Sequence, residues 1–161
     1  MVANWRATYR QQLSSDFLDG LSQEVETAKW VDRIGRPGVC ILVAHRRGDR
    51  RVDGFVACGP PFDRDLDHTS TYQVYNLHVS PAARGLGLGK ALLKAAARFA
   101  AERGAKDLSL WVVPENNHAR RFYEQAGMRA DGARQREPVA VGESLEEVRY
   151  RGGLAPIMDW D

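Results

Sequence analysis

Cysteine is scarce in this chain: Cys40 and Cys58 are the only two. Neither sits in a CxxC pair or near a Cys/His spacing, so no zinc-ligand framework exists and no metal is expected. Both fall in apolar, strand-like surroundings and are expected as buried free thiols. An excess of one charge is also lacking, with 23 Lys plus Arg against 21 Asp plus Glu. No strong overall field therefore selects nucleic acid or an anionic membrane as a partner. No stretch approaches the roughly 20 apolar residues of a membrane span. The opening MVANWRATYRQQ has no apolar run of signal-peptide length. These absences lead to the expectation of a soluble, cytoplasmic protein. Internal repeats and low-complexity tracts are missing too.

What is present is the material of one domain: 161 residues, 43% of them hydrophobic. Val2, Trp5, Tyr9 and Leu13 share a helical stripe, and the capping residue Ser22 predicts a second helix over 22–34, stopped by Gly35-Arg36-Pro37-Gly38. Apolar, β-branched runs predict strands over 39–45, 52–59 and 71–79, the first two joined as a hairpin through the polar turn at 47–50. After Ser80-Pro81 the period changes. Leu88, Ala91, Leu92, Ala95, Ala96 and Phe99 recur at helical spacing, and Gly104 closes that helix. A strand over 108–113 follows, then a helix capped by Asn116 or Asn117 and ended by Gly127, then a hairpin of 129–137 with 145–151 around Val141-Gly142. Antiparallel hairpins combined with two strand-helix-strand crossovers predict an α/β fold, a mixed central sheet flanked by helices.

Between the third strand and the clearest helix lies Arg84-Gly85-Leu86-Gly87-Leu88-Gly89. Glycines that open a helix bring free backbone N–H groups to the positive end of its dipole, a setting for phosphate. The competing reading is a packing turn of small residues. Two familiar phosphate loops do not fit. A Walker A loop needs four residues between its glycines and a hydroxyl after the lysine, whereas three residues separate Gly85 from Gly89 and Ala91 follows Lys90. A dinucleotide fingerprint needs a third glycine where Lys90 stands.

The turn instead resembles the pyrophosphate motif Q/R-x-x-G-x-G/A of the Gcn5-related N-acetyltransferase (GNAT) superfamily, which Arg84 to Gly89 match at every specified position. Asn76-Leu77-His78-Val79-Ser80-Pro81 is similar to the strand and turn before that motif. Asn116-Asn117-His118-Ala119-Arg120-Arg121-Phe122-Tyr123-Glu124-Gln125-Ala126-Gly127-Met128 resembles the second signature, N-x-x-A-x-x-x-Y-x-x-x-G-F. The resemblance covers about Trp5 to Arg151. It implies a single acetyltransferase domain over 1–151, a C-terminal extension over 152–161, and transfer of an acetyl group from acetyl-CoA to an amine. One departure stands out: family members begin with a strand before the first helix, and this chain starts within that helix. The strand over 39–45 is then expected at a bare edge, unless residues 152–161 cover it or cross to another subunit of a homodimer. An incomplete gene start would produce the same sequence.

Acyl transfer to an amine needs a neutral amine, a stabilised oxyanion and a protonated leaving thiolate. The resemblance implies cofactor contacts from Leu77, His78 and Val79, where backbone N–H groups would meet the oxyanion, and from Arg84, Gly85, Leu86, Gly87, Leu88, Gly89 and Lys90 at the phosphates. Asn116 would cap its helix and touch the pantetheine arm. Tyr123 is the family-matched general acid, although it also lies on a stripe with Ala119 and Phe122. Arg120 and Arg121 either approach the adenosine phosphate or form a solvated face. For the general base the candidates are His78, Glu115 or a water chain. The acidic loop Phe62 to His68 is either a solvated loop or, with Asp16 and Asp19, the mouth for a cationic amine. The expected acceptor is a small-molecule primary amine. Acetylation of a protein N-terminus or lysine, and a non-catalytic acyl-CoA-binding module, are the alternatives.

Overall fold

The computed structural model describes residues 5–6, 8–22, 24–25, 35–45, 48 and 51–161. The predicted helix over 22–34, with Trp30, and the stripe residue Val2 lie largely or wholly outside the described residues. After helical turns at Trp5, Arg6 and Thr8 come α1 (Ser15–Gly20), β1 (Cys40–His45), β2 (Val52–Gly59), β3 (Thr71–Val79) and a 3-10 turn at Pro81–Ala83. Then follow α2 (Leu88–Ala101), β4 (Asp107–Val112), α3 (Asn117–Gln125), β5 (Arg129–Ala140), β6 (Glu143–Gly153) and α4 (Leu154–Asp159).

One six-stranded sheet runs β1-β2-β3-β4-β6-β5, and its single parallel pair is β3 with β4. The α2 crossover makes that pair possible, because parallel neighbours cannot be joined by a tight turn. The mixed α/β sheet expected from the sequence is thus present, and the described part of the chain opens on helix. β1 forms the edge of the sheet. Cys40 and Cys58 face each other across β1 and β2 as free thiols, Cys58 buried and Cys40 half-buried.

The main core lies between the sheet and helices α2, α3 and α4. Small residues Ala96, Ala97 and Ala100 are fully buried on α2 and let the helix lie close to the sheet, with Leu93 and Leu108 filling the layer. Each fully buried leucine contributes on the order of 2 kcal/mol of apolar burial. Residues 152–161 do not reach β1, contrary to one expectation. Gly152 and Gly153 complete β6, Leu154 and Ile157 join the main core, and α4 packs on α2. The opposite face carries a smaller core of Leu13, Leu18, Val113 and Leu145, ringed by Trp5, Tyr9, Phe17 and Val139. The N-terminal helical segment therefore lies over the β5–β6 hairpin, and the Arg6 side chain ties it together by donating to the carbonyls of Leu18 and Asp19.

Candidate active site

β3 and β4 pair only from Thr71/Asp107 to Val74/Leu110, although both strands run on to Val79 and Val112. Past that point the strands splay. On its other side β3 stays paired with β2 up to Val79, with a register shift that leaves Tyr75 as the extra residue. Among the described residues the β4-facing edge of β3 from Tyr75 onward, which includes Leu77, His78 and Val79, therefore carries backbone groups with no strand partner. The splay opens into a cleft of about 1020 Å³ lined by Asn76, Leu77, Asn116 and Tyr123 together with Tyr9, Glu137 and Glu147.

On the core side, Gly85 and Gly87 adopt φ of 77° and 75°, and Gly87 is the left-handed N-cap of α2 with no side-chain cap. A Cβ at either glycine would meet nothing within 4 Å, so the turn is open to solvent and its glycines serve conformation and approach rather than packing. Gly89 differs, since a Cβ there would come within 3.3 Å of Phe122, so this position holds α3 close to α2. An uncapped first turn leaves N–H groups without partners at the positive end of a 14-residue helix. Arg84 and Leu86 are exposed beside it. Lys90 Nζ sits 5.1 Å from the centre of the Trp160 ring, which in turn meets Phe122 edge-on at 5.2 Å. This open, uncapped cradle has the donor chemistry that a pyrophosphate requires. Coenzyme A fits it on the strength of the free N–H groups and the space above Gly85 and Gly87.

Asn116 caps α3, its Oδ1 accepting from the Ala119 N–H at 3.2 Å, and it lines the cleft as well. Tyr123, buried on α3, also lines the cleft. Burial pushes its phenol well above the ordinary value, and the Tyr9 phenol adds to the effect. Tyr9 is itself pushed up to about 12, by burial first and then by the carboxylate of Glu147. Tyr9, Tyr123 and Glu147 all line the same cleft.

The structure does not bring His78 or Glu115 into the cleft. The His78 ring packs on Phe55 at 5.7 Å, and burial, with Arg84 contributing, lowers its pKa to about 4. Glu115 is exposed. Arg120 is a structural donor, giving Nε to Tyr150 Oη at 3.0 Å and Nη1 to the Pro114 carbonyl at 2.9 Å, while Arg121 lies on the exposed face. Two charges of the acidic loop are taken up by Arg149, which is 5% exposed on β6. Asp65 binds it through two bonds of 2.8 and 2.7 Å, Asp131 at 2.7 Å and Asp63 at 3.5 Å. Tyr75 anchors the same loop by donating to the Pro60 carbonyl at 2.5 Å and stacking on Phe62. A buried cation thus makes this loop a wall of the cleft rather than a free acidic mouth.

Glu147 was absent from the sequence candidates. It alternates with Leu145 and Arg149 on one face of β6, so the strand's period of two carried the signal: Leu145 faces a core, and Glu147 shares its face.

The model of the acetyltransferase (GNAT) family matches residues 3–128, and the chain belongs to that family. A protein of Archaeoglobus fulgidus named as an uncharacterized N-acetyltransferase is 35% identical over 101 residues, 63% of this chain and 66% of that protein. Matches to the first such relatives span 33 to 66% of those proteins' length. Among solved structures, nourseothricin acetyltransferase is similar at 26% identity and a TM-score of 0.58, over 73% of this chain and 66% of that one. The ribosomal-protein-alanine N-acetyltransferase of Brucella melitensis shares the fold at a TM-score of 0.65 and 23% identity, over 84% and 81% of the two chains. Among the described residues no group of side chains could hold a metal ion, and no helix is long and apolar enough to cross a membrane.

Proposed function

We infer that the chain is an acetyl-CoA-dependent N-acetyltransferase acting on a primary amine of a small molecule by direct transfer. The observation that carries this is the splay after Val74/Leu110, where a partly acidic cleft opens along β3, the strand that leads into the glycine cradle of α2. Acetyl-CoA supplies an activated thioester. In net terms nitrogen joins the carbonyl carbon, the carbon–sulfur bond breaks, and a proton passes from nitrogen to sulfur. The cradle at Gly85 to Lys90 holds phosphates by backbone donation, and the unpaired edge of β3 beyond Tyr75 offers N–H groups to a developing oxyanion. Tyr123, a phenol whose ordinary pKa of about 10 already keeps its proton on at neutral pH, is raised further by burial. Its phenolate would be a stronger base than a thiolate of pKa about 8.5, so Tyr123 acts as a hydrogen-bond donor more than as a source of a fully transferred proton.

The walls favour a small acceptor. Trp5, Tyr9 and Phe17 cover the pocket from the N-terminal segment and pack toward the β5–β6 hairpin, which bounds it. The similarity to nourseothricin acetyltransferase adds support. Thiol release from acetyl-CoA, measured against panels of small amines and of peptides, tests the reading. Turnover with small amines and not with peptides is the expected result. Turnover with peptides alone would favour protein acetylation, and tight acetyl-CoA binding with no thiol release on either panel would favour a binding module.

A further inference from the structure

We propose that Glu147 receives the acceptor: its carboxylate binds the substrate as an alkylammonium ion and takes one N–H proton from it, leaving a neutral amine and a carboxylic acid. This deepens the transfer reading and rests on it for the use made of the amine. Four observations carry it.

Glu147 lines the cleft from the side opposite the glycine cradle, on the face of β6 that continues from the apolar floor at Leu145. Among the described residues its one hydrogen-bond partner is the Gln135 amide, which donates to Oε2 at 2.8 Å and leaves the other oxygen available. Among the described residues no cation pairs with it, although Arg149 is only two positions along the same face. That guanidinium is saturated by Asp65, Asp131 and Asp63. A half-buried carboxylate held by one amide lacks the counter-charge that buried carboxylates normally find.

Other titratable groups on the cleft are already engaged or have the wrong chemistry. Asp63 accepts from Trp111 Nε1 at 3.1 Å and lies beside Arg149. Tyr9, Tyr75 and Tyr123 are phenols, protonated at neutral pH in any case and more firmly so with burial. Arg36 is a cation, and its charge acts on Tyr75. Glu137, from β5, is the second free carboxylate, but it is exposed at the rim and serves to add negative charge.

Burial, followed by repulsion from Glu137, raises the pKa of Glu147 despite the Gln135 hydrogen bond. A carboxylate of raised pKa is a better base near neutral pH than an ordinary one. The proton it gains returns to solvent past Glu137, and the apolar walls of Trp5, Phe17 and Leu145 suit an alkyl or aralkyl substituent.

Titration of wild-type protein with hexylamine, benzylamine and spermidine by calorimetry, beside hexanol as an uncharged control, tests the binding half. At least one amine is expected to bind wild type, to lose tenfold or more with Glu147→Gln, and to recover in part with Glu147→Asp, while hexanol does not discriminate. The Gln variant should melt no lower than wild type, because it removes a charge that repels Glu137. In thiol release, Glu147→Gln is expected to lose about 100-fold in kcat/KM and to flatten the acid limb of the pH profile. Thiol release by wild type that the Gln variant matches, with the same limb, overturns the proposal and leaves acetyl transfer standing. Glu147-dependent amine binding without thiol release by any amine leaves the ammonium site standing and sinks acetyl transfer. Failure of all three amines to bind wild type overturns the proposal.

Discussion

Gly87→Asp separates fold from function most cleanly at the cradle. Gly87 holds φ 75° as the N-cap of α2, and nothing lies within 4 Å of a Cβ built there. A side chain therefore meets no steric barrier and incurs only the left-handed backbone cost, about 1 kcal/mol and less for Asp than for Ala. Such a change would move the melting temperature of a chain this size by roughly 2 to 4 °C. The added charge also interacts favourably with the helix dipole, which offsets part of that loss. A phosphate bound over the same N–H groups would sit about 5 Å from the new carboxylate, costing about 3 kcal/mol at an effective dielectric of 20, or roughly 150-fold in affinity. Calorimetric titration with coenzyme A at low and high salt reads this directly, and the penalty should shrink as salt screens it. Gly87→Ala should show the stability loss without the electrostatic loss. Coenzyme A affinity unchanged in Gly87→Asp, in a protein that melts normally, would refute the cradle as the phosphate site.

Tyr123→Phe should lower kcat by about 100-fold or more while coenzyme A affinity stays within a few-fold, as steady-state kinetics beside calorimetry would show. A normal kcat would remove Tyr123 from the chemistry. Arg149→Met leaves Asp63 of the loop and Asp131 of β5 without their shared cation, so chemical denaturation should report a loss of about 3 kcal/mol or more. A stability within 1 kcal/mol of wild type would mean the network is dispensable. His78, whose folded pKa is lowered to about 4, binds fewer protons in the folded than in the unfolded chain between there and about 6.5. Stability should therefore fall as pH drops through that window, and His78→Gln should lessen the fall in melts recorded from pH 7 to 4.5. Asp67 is shifted in the same direction but by hydrogen bonding: bonds from Thr69 and Ser70 lower its carboxyl to about 2. Its contribution is present above about pH 4 and is lost toward pH 2, so the stability gap between wild type and Asp67→Ala should close over that range.

Much of the architecture was legible without coordinates because its signals are local. Strands β2 and β3 begin and end where the β-branched runs do, α2 follows the 3.6-residue stripe from Leu88, and the closing hairpin turns at Val141-Gly142. The glycine turn was legible for the same reason: a positive φ and a bare helix start are properties of neighbouring residues. The second signature likewise located Asn116 and Tyr123, one a cap, the other buried beside the cleft. Residues that depend on a distant partner were not legible. Whether His78 faced the cleft depended on the register shift at Tyr75 and on Phe55 across the strand pair. The acidic loop read either as solvated or as a mouth for an amine, and neither reading foresaw Arg149, 84 residues from Asp65, folding against it. Residues 152–161 read as an extension, yet Ile157 is fully buried among residues of α2 and β6.

Local chemistry along the chain was thus enough to determine an α/β domain, an uncapped glycine-rich helix start and a tyrosine one helix away. It could not determine which charges would be left unpaired. Counter-ions are assigned by proximity in space, and only the packing of β6 against the loop at 60–70 and the N-terminal segment decided that Arg149 would be saturated and Glu147 left facing the cleft.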